Sequence, residues 1–292
     1  MNQVIRDMLK RYDCRSAEDY ENALREIFQE LALLGLWRGK LFEHAAFYGG
    51  TALRIIYGLQ RFSEDMDFSL ITPEPDFDIT SYCEFVEKEL EAWGFPVTVE
   101  SKTKRNDTAD IQSEFLKGDT RRQPLTINAP RDVVGRTHRN KVLKIKLELD
   151  TNPPHGIKSE TRFLLQPIPF PARICTAETL FAGKLHAILF RNWKHRTKGR
   201  DWYDLVWFAA RDIPVDLNQL KARMVQTGHW PAETPLSEEH FRSLLFQCVQ
   251  SLDIEAARAD VEPFLKNPDE ISVWSQPFFE QIIDRLKVTY SR

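Results

Sequence analysis

Apolar positions recur at helical spacing over residues 17–34, where Tyr20, Leu24, Ile27, Phe28, Leu31 and Leu34 line one face. Ser16, with Asp19 three residues on, has the form of a capping box at the start of this helix. A first helix is expected over 3–13. The pattern then shortens: Ala45–Tyr48 predicts a strand, Thr51–Tyr57 a helix stopped by Gly58, and Met66–Leu70 a strand stopped by Pro73. A further amphipathic helix over 79–93, carrying Tyr82, Phe85, Val86, Leu90 and Trp93, ends at Gly94. Strands are expected at Pro96–Ser101, Ile111–Leu116, Leu125–Ala129 and Lys141–Asp150.

The last of these alternates most clearly. Val142, Lys144, Lys146, Glu148 and Asp150 share one face, and Leu143, Ile145, Leu147 and Leu149 the other. The apolar face is core. The segment QPIPFPAR, with Pro167, Pro169 and Pro171, reads as a linker. Beyond it the spacing predicts helices at 176–193, 200–211, 216–226, 237–252, 254–265 and 275–288, with Thr176 and Ser237 as caps. The expectation is an α+β domain over 1–170 and a mostly helical C-terminal domain over 171–292.

Composition makes this an ordinary globular chain of 292 residues, 42% hydrophobic and 28% charged. No apolar run reaches the roughly 20 residues of a membrane span, and the N-terminus lacks a signal-peptide core, so a cytoplasmic protein with no membrane partner is expected. The four cysteines have no C-x-x-C spacing. Net charge is −3, but it is unevenly spread. Residues 1–100 carry 10 Lys and Arg against 19 Asp and Glu, whereas residues 101–146 carry 12 against 5, and residues 183–200 carry 6 against none. Such basic blocks suit a polyanionic substrate, an NTP or RNA, or are solvated faces.

The candidate chemistry sits in HAAFYGGTALRIIYGLQRFSEDMDFSL, residues 44–70. Asp65 and Asp67, two apart on a strand, point to one face and suit a hard divalent cation, Mg²⁺ or Mn²⁺. Gly49 and Gly50 let the backbone approach a ligand closely and, with Thr51, offer N–H groups to a phosphate at a helix start. Beside this strand, the charged face of 141–150 would bring Glu148 or Asp150 to the pair. Arg54 and Arg61 either contact phosphate or brace carboxylates, and Ser63 either binds a triphosphate oxygen or shapes a turn. In the helical half Lys184 lies among apolar neighbours and must snorkel or find an anion, while Asp201 and Asp204, three apart, share a helix face. The alternative for these three is a structural helix–helix salt bridge. Trp202, Tyr203, Trp207 and Phe208 read as core, and His186 as packing.

Gly-Gly-Thr-Ala-Leu-Arg followed by Arg-Phe-Ser-x-Asp-x-Asp-Phe resembles the signature of the AbiEii/AbiGii-type nucleotidyltransferase toxins. These include the MenT toxins and belong to the DNA polymerase β-like nucleotidyltransferase superfamily. Thr51 in place of the superfamily's serine and the longer spacer before Asp65 both fit the toxin branch. Ala182-Gly183-Lys184-Leu185-His186 and Arg200-Asp201-Trp202-Tyr203-Asp204-Leu205 resemble the family's later motifs. The resemblance covers about residues 40–70, 141–154 and 176–206. It implies a nucleotidyltransferase-fold mixed sheet with flanking helices, and an Mg²⁺- or Mn²⁺-dependent transfer of a nucleotide from an NTP. It also implies an RNA acceptor such as the tRNA 3′ end, and a cognate antitoxin. By the same resemblance Glu148 is the third carboxylate, Lys184 holds the nucleotide's phosphates, and Asp201 orients that lysine or contributes to the active site. The competing readings are a nucleotidyltransferase acting on a protein or small molecule, and a non-catalytic nucleotide-binding module. The retained Asp65, Asp67 and Glu148 argue against the latter.

Overall fold

A computed structural model of the chain describes residues 3–95, 97–99, 120–128, 142–190 and 198–290. The chain divides into two compact units. The first holds residues up to Tyr57, Ser63–Pro153 and Ser159–Ile174; the second holds Gly58–Phe62, Pro154–Lys158 and the chain from Cys175 onward.

The first unit contains helices α1 (Gln3–Leu9), α2 (Ala17–Arg38), α3 (Gly49–Tyr57) and α4 (Thr80–Ala92). Its strands are β1 (Ala45–Tyr48), β2 (Asp65–Leu70), β3 (Val97–Val99), β4 (Thr120–Asn128), β5 (Val142–Asp150), β6 (Ser159–Leu164) and β7 (Phe170–Cys175). They form one mixed sheet in the order β3-β4-β5-β2-β1-β7-β6. β1 runs antiparallel to β2, with Tyr48 opposite Asp67, and parallel to β7. β5 runs parallel to β2 on the far side. The alternation of β5 is realised: Ile145, Leu147 and Leu149 are fully buried, and Lys146, Glu148 and Asp150 are half-buried. Phe47 of β1 and Phe68 of β2 meet in this core with tilted rings 5.2 Å apart.

Helix α2 starts at the expected capping box, Ser16 accepting from the Asp19 amide while Asp19 accepts from the Ser16 amide. It buries Leu24, Ile27, Phe28, Leu31 and Leu34, each apolar side chain contributing roughly 1.5–3 kcal/mol. Phe28 meets Phe95 edge-on at 4.6 Å. Helix α2 reaches α4 at Gly35, where a Cβ would stand 2.8 Å from the Phe85 carbonyl oxygen and 2.8 Å from Val86 Cα.

The second unit comprises α5 (Ala177–Phe190), α6 (Gly199–Ala210), α7 (Leu217–Gln226), α8 (Glu238–Gln250), α9 (Ile254–Val261) and α10 (Gln276–Arg285), with two short paired strands, β8 (Val215–Asp216) and β9 (Val288–Thr289). Phe181 stacks on Phe208 at 4.3 Å, and Trp202 and Trp274 meet Phe279 at 5.0 and 5.2 Å. Trp202, Tyr203, Trp207 and Phe208 are all buried, as their helical spacing predicts. Ser237 caps α8.

Several expectations differ. The first helix stops at Leu9, and α2 runs on to Arg38. Helix α3 begins at Gly49, so the two glycines form its first turn and do not precede it. Residues 254–265 divide into α9 and a 3-10 turn at Glu262–Phe264, where Pro263 cannot extend the α pattern. The end of the proline-rich segment is strand β7, and β6 was not anticipated at all. The strand expected at Ile111–Leu116 and the last residues of the helix expected over 176–193 lie outside the described residues. Among the described residues no helix is long and apolar enough to cross a membrane.

Gly35→Ala is expected to lower stability. The gain in helix propensity is about 1 kcal/mol, while forcing backbone against backbone costs about 1–3 kcal/mol, towards the upper end where no side chain can yield. Urea denaturation followed by circular dichroism checks this: the midpoint should fall, and an unchanged midpoint would show that α2 and α4 can separate freely.

Candidate active site

The D-x-D motif is built by a strand, a helix and a returning strand. β1 delivers the chain to Gly49, whose φ of 79° lies in the left-handed region that glycine tolerates. A second constraint acts there too. A Cβ on Gly49 would stand 2.7 Å from Asp67 Cγ and 2.8 Å from Asp67 Cβ, so the backbone at the start of α3 lies directly against the Asp67 carboxylate. The N-terminus of a helix carries partial positive charge and favours an anion at this place. Thr51 is fully buried, and its hydroxyl donates to the Asp65 carbonyl. Its side chain therefore braces the D-x-D strand, which leaves its backbone N–H as the group a phosphate would meet.

Asp65 is exposed and Asp67 half-buried, both on the face that the period of β2 dictates. The register of the parallel β2–β5 pair sets Asp67 beside Glu148, Asp65 beside Lys146 and Ser69 beside Asp150. Asp150 accepts from the Asn152 amide at 3.1 Å, in the turn that follows. Lys146 and Glu148, which share a face, form an ion pair. Asp65, Asp67 and Glu148 supply only carboxylate oxygens, the donor set of a hard divalent cation. That chemistry fits Mg²⁺ or Mn²⁺. Among the described residues, however, no three His, Cys, Asp or Glu side chains are grouped closely enough to hold an ion as they stand.

Supporting contacts come from residues whose role the sequence did not reveal. Gln29 of α2, 1% exposed, donates to the carbonyls of Ser63 and Glu64, each at 3.0 Å, and so fixes the approach to β2. The only signal for it was a polar residue flanked by the apolar stripe of α2. Arg54 forms an ion pair with Glu26 at 2.8 Å and ties α3 to α2. Ser63 is half-buried in the loop ahead of Asp65.

The second motif forms a cluster inside the second unit. Arg61 is 2% exposed and grips Asp204 through two parallel bonds of 2.7 and 2.6 Å. Its third donor reaches the Phe62 carbonyl at 3.0 Å. Lys184 Nζ lies 3.0 Å from Asp201 Oδ1 and 2.8 Å from Asp204 Oδ2. Two cations and two carboxylates thus neutralise one another among α5, α6 and the Gly58–Phe62 segment. Burial works against charge on Lys184, but Asp201 and Asp204 outweigh it and hold the ammonium above the ordinary lysine range. Arg61 is held up by Asp204 and Asp201 in the same way against its own burial. Lys184 finds its anions in Asp201 and Asp204, and Arg61 braces a carboxylate.

The mixed sheet presents D-x-D beside a second acidic strand, with a glycine-led helix start packed against Asp67. The family described as "Nucleotidyl transferase AbiEii toxin, Type IV TA system" matches residues 31–285, and the chain belongs to that family. It is accordingly a nucleotidyltransferase toxin of the type IV toxin–antitoxin class, with an NTP as substrate and an antitoxin as counterpart. Among solved structures it is similar to MenT4, a nucleotidyltransferase toxin of Mycobacterium tuberculosis, at 19% identity over 97% of this chain and 99% of that one, with a TM-score of 0.51. JHP933 of Helicobacter pylori aligns at 19% identity over 90% of each chain, with a TM-score of 0.49. The MenT4 likeness speaks for the fold. A comparison with curated protein sequences gave no match.

Two substitutions separate the clusters. Gly49→Ala should leave the protein folded while cutting nucleotidyl transfer by about 100-fold, the penalty typical of misplacing a reacting group by about 1 Å; steady-state rates beside a thermal melt check this. Asp204→Ala strands the buried Arg61 without its bidentate partner. It should cost about 3–5 kcal/mol of stability, read as a lowered denaturation midpoint.

Proposed function

We propose that this toxin transfers a nucleoside monophosphate from an NTP to an RNA acceptor of the tRNA 3′-end class, with Mg²⁺ or Mn²⁺ held by Asp65, Asp67 and Glu148. The observation that supports the site is the β2–β5 register, which pairs Asp67 with Glu148 while Gly49 opens the helix start beside Asp67. When bound, the metal neutralises charge on the triphosphate and lowers the pKa of the attacking hydroxyl. The chain's own residues do the rest. Asp65 and Asp67 would hold the cation through their carboxylate oxygens, and the N–H groups of Gly50 and Thr51 receive phosphate oxygens at the first turn of α3.

The acceptor hydroxyl oxygen attacks the α-phosphorus in line. Its proton passes to a carboxylate oxygen of Glu148, the bond from the α-phosphorus to the bridging oxygen breaks, and pyrophosphate departs. Lys146 pairs with that carboxylate on the face that the alternation of β5 sets. An RNA acceptor is supported by charge: residues 101–146 and 183–200 concentrate Lys and Arg in a chain that is acidic overall.

Incubation with total tRNA, Mg²⁺ and each α-labelled NTP in turn, beside Asp65→Ala, tests this. Label on tRNA from one NTP, absent in the variant, is the expected result. Label on protein or small molecules would assign a different acceptor, and unchanged labelling by Asp65→Ala would remove the proposed metal site.

A further inference from the structure

Among the described residues strand β6 closes one end of the seven-stranded sheet, and it carries the most exposed large apolar side chains: Phe163 at 69% and, just past the strand, Leu165 at 67%. An edge strand offers a row of main-chain donors and acceptors to any strand that can pair with it, which is why exposed edges are ordinarily blunted or covered. The interior of β6 reads Glu160-Thr161-Arg162. Glu160 and Arg162 lie on one face and pair at 3.0 Å. Both lean on Tyr57, whose hydroxyl donates to Glu160 at 2.7 Å and whose ring lies 5.8 Å beneath the Arg162 guanidinium. Thr161 and Phe163 occupy the opposite face and are exposed.

We infer that β6 is the docking edge for a second copy of this chain, paired antiparallel about a twofold axis at Thr161 and joining two seven-stranded sheets. A twofold perpendicular to a sheet keeps every side chain on its own face, so opposed residues must be separated by an even number in sequence. With Thr161 on the axis, Glu160 faces the partner's Arg162 and Arg162 faces the partner's Glu160. Both cross-strand pairs are of opposite charge, and Phe163 lies opposite the partner's Ser159 on the other face. Shifting the axis to Arg162 opposes two arginines, and shifting it to Glu160 opposes two glutamates. The charges therefore select one register. All five residues of Ser159–Phe163 pair in it, and the closed, self-complementary contact occupies the β6 edge of both copies.

Sedimentation equilibrium of the full chain across the micromolar range tests this. The wild type should weigh twice the chain mass. Glu160→Arg alone and Arg162→Glu alone should each weaken association about tenfold or more, because each sets like charges opposite one another twice. The double variant carrying both should recover it, because the pairs reform with their signs exchanged. Phe163→Lys, at a position exposed in the monomer, should weaken association while leaving the fold intact, read as an unchanged circular dichroism spectrum. A wild type that stays monomeric throughout overturns the inference. So do a dimer indifferent to the single charge variants and a double variant that fails to recover.

Discussion

The pairing of β2 with β5 is the constraint on which the site depends. Side chains alternate along each strand, so the register decides which carboxylates become neighbours, and it sets Asp67 beside Glu148. A slip of one residue would turn Leu147 or Leu149, both fully buried, towards the acidic face and send Glu148 into the core. The hydrophobic side of the sheet therefore fixes the chemistry of the polar side. Burial of Met66, Phe68, Ile145, Leu147 and Leu149 holds the register, and the acidic residues between them follow.

The contacts around β2 serve the same end. Gly49 allows the helix start to close on Asp67, Thr51 fastens the Asp65 carbonyl, and Gln29 fastens the two carbonyls before it. Each makes the backbone of the motif rigid, leaving the carboxylates on its outer face. The Arg61–Asp204–Lys184–Asp201 cluster is of another kind. Its charges compensate one another within a largely buried space, so removing one partner strands a buried charge.

Much of this was legible in the sequence where the signal was local. The capping box at Ser16, the strand Ala45–Tyr48, the D-x-D strand and the two faces of β5 each follow from a few adjacent residues with one period. The family signature rested on the same short stretches, and the family assignment agrees with it. What escaped was non-local or lacked a period. Strand β6 shows no apolar face, because as an edge strand it alternates Glu160 and Arg162 with Thr161 and Phe163. Strand β7 was hidden by Pro171, which near a strand's start costs little. Arg61 finds Asp204 across 143 positions of sequence, a pairing that no local pattern announces. The aim of the Thr51 hydroxyl, inward to a carbonyl, depends on where α3 begins, two residues before the pattern suggested.

The claim that Glu148 completes the acidic site by register is tested most directly by titrating Mn²⁺ into the wild type, Glu148→Gln and Asp150→Asn, with free ion followed by electron paramagnetic resonance. The reading needs neither nucleotide nor acceptor. Glu148→Gln should weaken Mn²⁺ binding by about 10–100-fold, the range found when a metal's carboxylate environment is altered, and Asp150→Asn should bind as the wild type does. Wild-type binding by Glu148→Gln, with loss in Asp150→Asn, would place the third carboxylate opposite Ser69 and contradict the account.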